Sequence, residues 1–123
     1  MKYKLYAQRI FSFKWDESVD FYQTMVGLPV RCIIDDAGWA EFDLGGAALA
    51  VERQEPGDDE AQELVGRFIG ISIEVEDIEN TYRELTAKGI DFLLPPEPQP
   101  WGGMLAHFKD PDGNVLTLLQ GPA

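Results

Sequence analysis

The chain has 123 residues and a mass of 13.8 kDa, which suits one ordinary domain and is too short for two independent cores. Hydrophobic residues make up 45% and charged residues 26%, so a disordered or collagen-like chain is excluded. The 22 acidic residues outnumber the 10 Lys and Arg and give a net charge of −12. This charge disfavours nucleic acid and anionic membrane surfaces as partners and favours neutral or cationic ligands.

The first half of the chain predicts one strand, one helix and three further strands. Residues 4–13 alternate in a strand pattern, with one face carrying Leu5, Ala7, Arg9, Phe11 and Phe13. An acidic start at Asp16 and an apolar stripe predict a helix that ends at Gly27. Three short runs at 30–34, 38–44 and 47–53 follow, separated by turn-forming sequences. The predicted order is β-α-β-β-β.

The second half repeats this order after an acidic segment, residues 54–66, whose polar composition predicts a loop or linker. A strand is predicted at 68–75 and a helix from Asp77 to Gly89. Strands at 90–94, 104–108 and 115–119 complete the repeat. The sequence therefore predicts an α+β domain of two βαβββ modules, residues 1–53 and 67–123, in a curled mixed sheet around a cavity.

The sequence carries no feature of a membrane or secreted protein. Its apolar runs are far shorter than the roughly 20 residues that span a bilayer. The first nine residues mix charge with hydrophobic groups and do not resemble a secretory signal. Cys32 is the only cysteine, which excludes an intrachain disulfide and a multi-cysteine zinc site. We therefore expect a cytoplasmic protein.

Several motifs resemble the vicinal oxygen chelate superfamily, the group of glyoxalases, bleomycin resistance proteins and extradiol dioxygenases. The resemblance rests on Ser18-Val19-Asp20-Phe21-Tyr22 with Gly27-Leu28-Pro29-Val30, on Val75-Glu76-Asp77-Ile78, on Gln99-Pro100-Trp101-Gly102 and, most specifically, on Phe108-Lys109-Asp110-Pro111-Asp112-Gly113-Asn114. It spans nearly the whole chain and implies the paired-module fold. It does not by itself imply an activity, because members of the superfamily isomerise, oxidise, open epoxides or bind drugs.

Enzymes of this superfamily hold a divalent metal with four His, Glu or Gln side chains from the first and last strands of both modules. The matching positions here are Ala7 or Arg9, Ala50 with Glu52 two residues on, Gly70, and Thr117. At most one carboxylate remains, whereas a catalytic metal needs about three protein ligands. We therefore expect no metal and no cofactor.

The resemblance places the ligand pocket on the strands that carry these positions. The candidate ligand-binding residues are Arg9, Phe11, Trp39, Glu41, Glu52, Glu74, Trp101, His107 and Thr117. Each also has a structural interpretation, since Trp39 can serve the core and a lone His on a strand can be a hydrogen-bonded structural residue. Trp101 lies in the segment that resembles bleomycin resistance proteins, where aromatic rings and acidic walls hold a flat cationic antibiotic.

These residues predict a metal-independent protein that binds a small molecule. A more specific hypothesis is that it sequesters a toxic or antibiotic compound. The ligand is expected to be neutral or cationic and partly aromatic. An alternative is a metal-free isomerase or lyase in which His107 acts with Glu41 or Glu52 as acid and base. A third is a protein-interaction module that uses an exposed sheet edge. A homodimer is expected in each case, since two small modules alone bury limited area.

Overall fold

A computed structural model describes residues 1–123, and the chain divides into two units, Met1–Gly66 and Arg67–Ala123. The first unit is built on a four-stranded mixed sheet in the order β1-β4-β3-β2. Strand β1 runs parallel to β4, and the other neighbours are antiparallel. Its elements are β1 (Ala7–Ser12), α1 (Trp15–Asp20, continued by a π-helical stretch Phe21–Val26), β2 (Val30–Ile34), β3 (Trp39–Leu44), β4 (Ala47–Arg53) and α2 (Asp59–Leu64).

Helix α1 covers one face of this sheet because its apolar residues recur at helical spacing. Trp15 is buried and its indole N–H donates to the carbonyl of Val51 at 2.9 Å, which fixes the helix to β4. The strand residues on this face form the core: Ile10, Phe42, Leu49 and Val51 are fully buried. Gly27, at φ 82°, ends the helical segment in the left-handed conformation that glycine adopts without steric cost.

The second unit repeats the arrangement with a five-stranded mixed sheet in the order β5-β9-β8-β6, and β7 also pairs with β8. Strand β5 is parallel to β9, as β1 is to β4. The elements are β5 (Phe68–Glu74), α3 (Ile78–Ala87), β6 (Asp91–Phe92), β7 (Glu97–Pro98), β8 (Met104–Lys109) and β9 (Val115–Gln120).

Helix α3 begins as the sequence predicts, at a capping aspartate. The Asp77 side chain accepts the backbone N–H of Asn80 at 3.1 Å. The side chain of Gln120 accepts the N–H of Ile78 at 2.8 Å, which ties the first turn of the helix to β9. The core of this unit is apolar and consists of Ile78, Leu85, Ile90, Ala106, Phe108, Leu116 and Leu118.

The predicted fold class, α+β with two βαβββ repeats built on mixed sheets, is confirmed. Two local predictions are corrected. Residues 54–66, predicted as loop, contain α2, whose capping residue Asp58 accepts the N–H of Glu60 at 3.0 Å. The predicted strand at 90–94 is reduced to β6, because Pro95 and Pro96 follow closely and lack the N–H groups that a ladder needs. No helix in the structure combines the length and apolar character needed to cross a membrane.

Candidate functional site

Five of the predicted site residues lie on one face of the first sheet, the face opposite the one that carries the core. We call it the open face and define it by Arg9, Phe11, Trp39, Glu41 and Glu52. Strand register places Glu52 opposite both Phe11 and Trp39, and Ala50 opposite both Arg9 and Glu41. Because side chains two residues apart along a strand point to the same side, these groups project together.

Glu41 is the buried charge of the open face, at 8% exposure. Its carboxylate accepts the Tyr6 hydroxyl, at 2.8 Å to Oε1 and 2.9 Å to Oε2, and the Trp39 indole N–H at 2.8 Å to Oε2. The hydrogen bond from Trp39, followed by the one from Tyr6, lowers the pKa of Glu41 below its ordinary value. No ion pair involves Glu41. It is an anion held by neutral donors, with no cation in contact.

Glu52 differs from Glu41 because its negative charge is compensated by an ion pair with Arg9. The Arg9 guanidinium contacts Oε1 through Nη2 at 3.0 Å and through Nε at 3.1 Å. The Gln54 amide donates to Oε2 at 3.0 Å. The same guanidinium lies 5.2 Å from the centre of the Phe11 ring, within cation–π range. Arg9 and Glu52 therefore neutralise each other, and Glu41 determines the charge of the open face.

The superfamily's metal does not fit the residues at its expected positions. Arg9 is a cation, Ala50 and Gly70 carry no donor, and Thr117 donates or accepts only through a hydroxyl. Glu52 has both oxygens engaged by other side chains. Nowhere do three or more His, Cys, Asp or Glu side chains converge in a geometry suited to a metal ion. The donor set lacks the three ligands that a catalytic divalent metal requires.

In the second unit, His107 and Thr117 lie opposite each other on β8 and β9 and are in direct contact. Nδ1 of His107 lies 2.8 Å from the Thr117 hydroxyl oxygen, and the Phe68 ring packs edge-on against the imidazole at 5.7 Å. His107 lines a small pocket of about 80 Å³. The other lining residues are Leu94, Pro95, Glu97, Gln99, Leu105 and Ala106. This unit therefore presents an oriented imidazole beside a shallow hollow.

The remaining two predicted residues also belong to the second unit, and Glu74 is on the same sheet face as Thr117, because Ser72 pairs with Thr117 and Glu74 with Leu119. Glu74 ends β5 and is exposed. Trp101 is 48% exposed in the turn between β7 and β8, and its ring lies over Gly103, where a Cβ atom would collide with it and with the carbonyl oxygen of Gln120. Gly103 therefore has to be a glycine for this turn and this ring position to coexist.

The catalytic pairing of His107 with Glu41 or Glu52 stays a prediction, since His107 belongs to the second unit and the two carboxylates to the first. Three further groups of the open face were not predicted from the sequence. Tyr6 and Gln54 hold the two carboxylates, and Cys32 lies opposite Glu41 on β2. Tyr6 gave no signal because alternation places it in phase with Ile10, which faces the core. Gln54 follows Glu52 at a spacing of two and could have been found from strand phase.

Comparison with known proteins agrees with this fold. The profile of the Glyoxalase/Bleomycin resistance protein/Dioxygenase superfamily matches residues 9–118. The uncharacterised protein YraH of Bacillus subtilis (strain 168) is 28% identical over 124 residues, covering 94% of this chain and 96% of its own. A bleomycin resistance protein of Klebsiella pneumoniae is 28% identical over 113 residues, covering 86% of this chain and 83% of its own.

Among solved structures, a superfamily member from Sphaerobacter thermophilus DSM 20745 superposes with a TM-score of 0.79 at 27% identity, over 97% of this chain and 98% of that one. The superposition extends over both sheets, and the profile match covers both βαβββ repeats. The chain belongs to the glyoxalase, bleomycin resistance protein and dioxygenase superfamily.

Proposed function

We propose that this protein binds a flat, neutral or cationic small molecule on the open face without a metal, and that it acts by sequestering a toxic or antibiotic compound. The observation that carries the proposal is Glu41, a buried carboxylate without a cation, next to the indole of Trp39. Desolvated charge is costly when it is unpaired, so a ligand that supplies positive charge or N–H donors gains from this position.

The neighbouring aromatic groups support a flat ligand. Trp39 and Phe11 lie on either side of Glu52 in register, and both side chains are partly exposed. Aromatic faces bind flat and cationic groups by stacking and by attraction of positive charge to the ring. The net charge of −12 attracts cations over a longer range. The Klebsiella pneumoniae relative is a bleomycin resistance protein, which supports an antibiotic as ligand.

The donor set at the superfamily's metal positions supports a binding role over metal-dependent chemistry. We expect purified protein to contain no stoichiometric transition metal by elemental analysis. Added nickel, zinc or iron(II) should restore neither lactoylglutathione lyase nor extradiol dioxygenase activity. Metal-dependent turnover in either assay would overturn metal independence.

Ligand binding itself is tested by a thermal-shift screen that includes bleomycin and other planar compounds. A ligand at 100 times its Kd stabilises the folded state by about 2.7 kcal/mol, which gives a clear rise in Tm. The shift should be lost in Trp39→Leu and kept in Leu93→Ala, a change at an exposed position in the second unit. A shift that survives Trp39→Leu would remove the open face as the binding site.

The setting of this function is proposed from the sequence. Cys32 is a free thiol, which is compatible with a reducing compartment such as the cytoplasm. A homodimer is the proposed assembly.

A further inference from the structure

Tyr6 covers Glu41 from a segment that is otherwise open. It directly precedes β1 and is 60% exposed, and Leu5 beside it is 69% exposed. Its backbone carbonyl accepts the N–H of Ala48 at 2.8 Å, so the main chain at Tyr6 is attached to the sheet. Its ring stacks on no other aromatic ring, and its only side-chain hydrogen bonds go to Glu41. Glu41 therefore supplies all the side-chain hydrogen bonds that hold the phenol.

The Tyr6 hydroxyl occupies only part of the hydrogen-bond acceptor capacity of the Glu41 carboxylate. A single hydroxyl proton is shared between Oε1 and Oε2, and the indole of Trp39 supplies the second donor. An ionised carboxylate accepts at about four lone-pair positions. An amidinium or guanidinium presents two parallel N–H donors together with a positive charge, and such charge-assisted pairs are roughly twice as strong as neutral hydrogen bonds.

We propose that Tyr6 is a displaceable cover of the binding site, and that the ligand carries an amidinium or guanidinium on an aromatic ring, which replaces the Tyr6 hydroxyl on Glu41 while Trp39 keeps its hydrogen bond. This inference rests on the proposed function and specifies the group that the open face recognises. Rotation of one exposed side chain is enough to uncover the carboxylate, because the backbone of Tyr6 stays bonded to Ala48.

The other charges of the open face make this recognition selective. The Arg9 guanidinium is bonded to Glu52 and lies against Phe11, so its positive charge is already compensated by a carboxylate. Arg31, on β2, is bonded to Asp43 at 2.7 Å and to the carbonyl of Gly46 at 3.0 Å. Arg31 attracts Glu41 at longer range, but neither arginine forms an ion pair with it, so Glu41 is the carboxylate of this face that a cationic ligand can pair with directly.

The test follows the indole N–H of Trp39 by ¹⁵N-labelled NMR of the full chain, with the signal assigned by its loss in Trp39→Phe. The probes are benzamidine, a planar cation, and benzamide, its neutral counterpart of nearly the same shape. Benzamidine should shift the Trp39 signal. Benzamide should bind at least about tenfold more weakly than benzamidine, a difference that corresponds to about 1.4 kcal/mol. In Glu41→Gln the two probes should bind alike.

Tyr6→Phe is the decisive variant, because it removes the hydroxyl and keeps the ring. It should tighten benzamidine binding by about threefold or more, since no hydrogen bond to Glu41 has to be broken. The matched control is Tyr3→Phe, which removes an exposed hydroxyl that contacts only the sulfur of Met1 and should change nothing. The dispersion of the NMR spectrum reports directly whether each variant is folded.

The outcomes separate this inference from the proposed function. Equal binding of both probes to the wild type, or weaker benzamidine binding in Tyr6→Phe, overturns the displaceable cover and leaves ligand binding on the open face intact. The same holds if planar compounds shift the Trp39 signal but benzamidine does not. If no planar compound shifts that signal, both proposals fail. If Glu41→Gln does not fold, the comparison of Tyr6→Phe with Tyr3→Phe still decides.

Discussion

Glu41 is kept ionised mainly by hydrogen bonds from the neutral donors Trp39 and Tyr6, whereas Glu52 is held by an ion pair with Arg9. Hydrogen bonds to a carboxylate favour its charged form, which is why the donors at Trp39 and then Tyr6 lower its pKa. The same contact raises the pKa of the Tyr6 hydroxyl, because the proton is held by an anion. The Tyr6–Glu41 hydrogen bond contributes to both shifts, and the lowered pKa of Glu41 places a negative charge on it at neutral pH.

The depressed pKa of Glu41 predicts a pH-dependent contribution to stability. A carboxylate whose folded-state pKa lies below its ordinary value of 4.5 stabilises the fold fully above that pH. The contribution is lost as pH falls through the lower, folded-state pKa. The free energy of unfolding of the wild type should therefore exceed that of Glu41→Gln by a constant amount from pH 8 to about 6, and the difference should shrink below about pH 4.

Urea denaturation of both proteins across this range measures the difference. The pKa of Asp43 is also lowered, by its hydrogen bond from Arg31, so Asp43 titrates in the same acidic range. Since it is present in both proteins, its effect cancels in the comparison at each pH. A difference that stays constant down to pH 3 would contradict the assigned pKa shift.

The turn between β8 and β9 shows how one aspartate organises an element. Asp110 is 6% exposed, and its Oδ1 accepts the backbone N–H groups of Asp112 and Asn114, each at 2.9 Å. Its Oδ2 accepts the side-chain amide of Asn114, a fully buried residue, at 3.1 Å. The turn therefore depends on a carboxylate that satisfies three donors at once.

Asp110→Ala should lower the free energy of unfolding by about 3 kcal/mol, because it leaves these donors without their acceptor. Asp110→Asn should cost less, since an amide oxygen still accepts from two of them. Asp36→Ala, at an exposed position, is the control and should stay within about 0.5 kcal/mol of the wild type. Urea midpoints give all three values, and an Asp110→Ala midpoint equal to that of the control would contradict this role.

Strand alternation and turn chemistry were enough to predict the elements with strong patterns. The turns at Gly45-Gly46 and at residues 110–114 lie where predicted, and the helix that begins after Asp77 has its capping bond. Helix α2 was missed because only Ala61 of its residues is buried, so it shows no apolar stripe. The strand predicted to reach Leu94 ends at Phe92 instead. Leu93 and Leu94 have strand-like side chains, but the prolines that follow them cannot donate to a strand ladder.

The candidate site was predictable in part, for a related reason. Phase along the strands placed Arg9, Phe11 and Glu52 on one face, and the structure agrees. Phase along the predicted strand placed Tyr6 on the core side with Ile10, but the strand begins at Ala7, so the side chain of Tyr6 does not follow the alternation. Contacts between separate elements, such as Tyr6 with Glu41, depend on side-chain reach rather than on period.

Charge and exposed apolar surface act in opposite directions on the assembly of this protein. Each copy carries a net charge of −12, which opposes association. Strand β2 lies at the edge of the first sheet, and three of its apolar residues are exposed: Val30 at 40%, Ile33 at 38% and Ile34 at 47%. An exposed apolar edge strand is prone to pair with another chain, and closed twofold pairing removes that edge.

We expect the protein to form a homodimer. The repulsion between two copies is spread over their surfaces and is screened by salt, whereas apolar burial is concentrated at the interface. Burial contributes about 25 cal/mol per Å² before the cost of association is subtracted. Light scattering at micromolar concentration and moderate salt should give twice the chain mass of 13.8 kDa. Association should strengthen between about 10 and 150 mM salt, as the Debye length falls from about 30 to 8 Å.

The edge strand is tested by Ile34→Lys, which places a charge on the exposed apolar surface of β2 and should shift the protein toward the monomer. Leu94→Lys is the matched control, since Leu94 is 60% exposed and belongs to the second unit rather than to the first sheet. Both lysines lower the net negative charge by the same amount, so repulsion between copies changes equally in the two variants. Loss of the dimer only in Ile34→Lys therefore assigns the interface to β2. A mass of 13.8 kDa for the wild type at every concentration would show that the chain functions as a monomer.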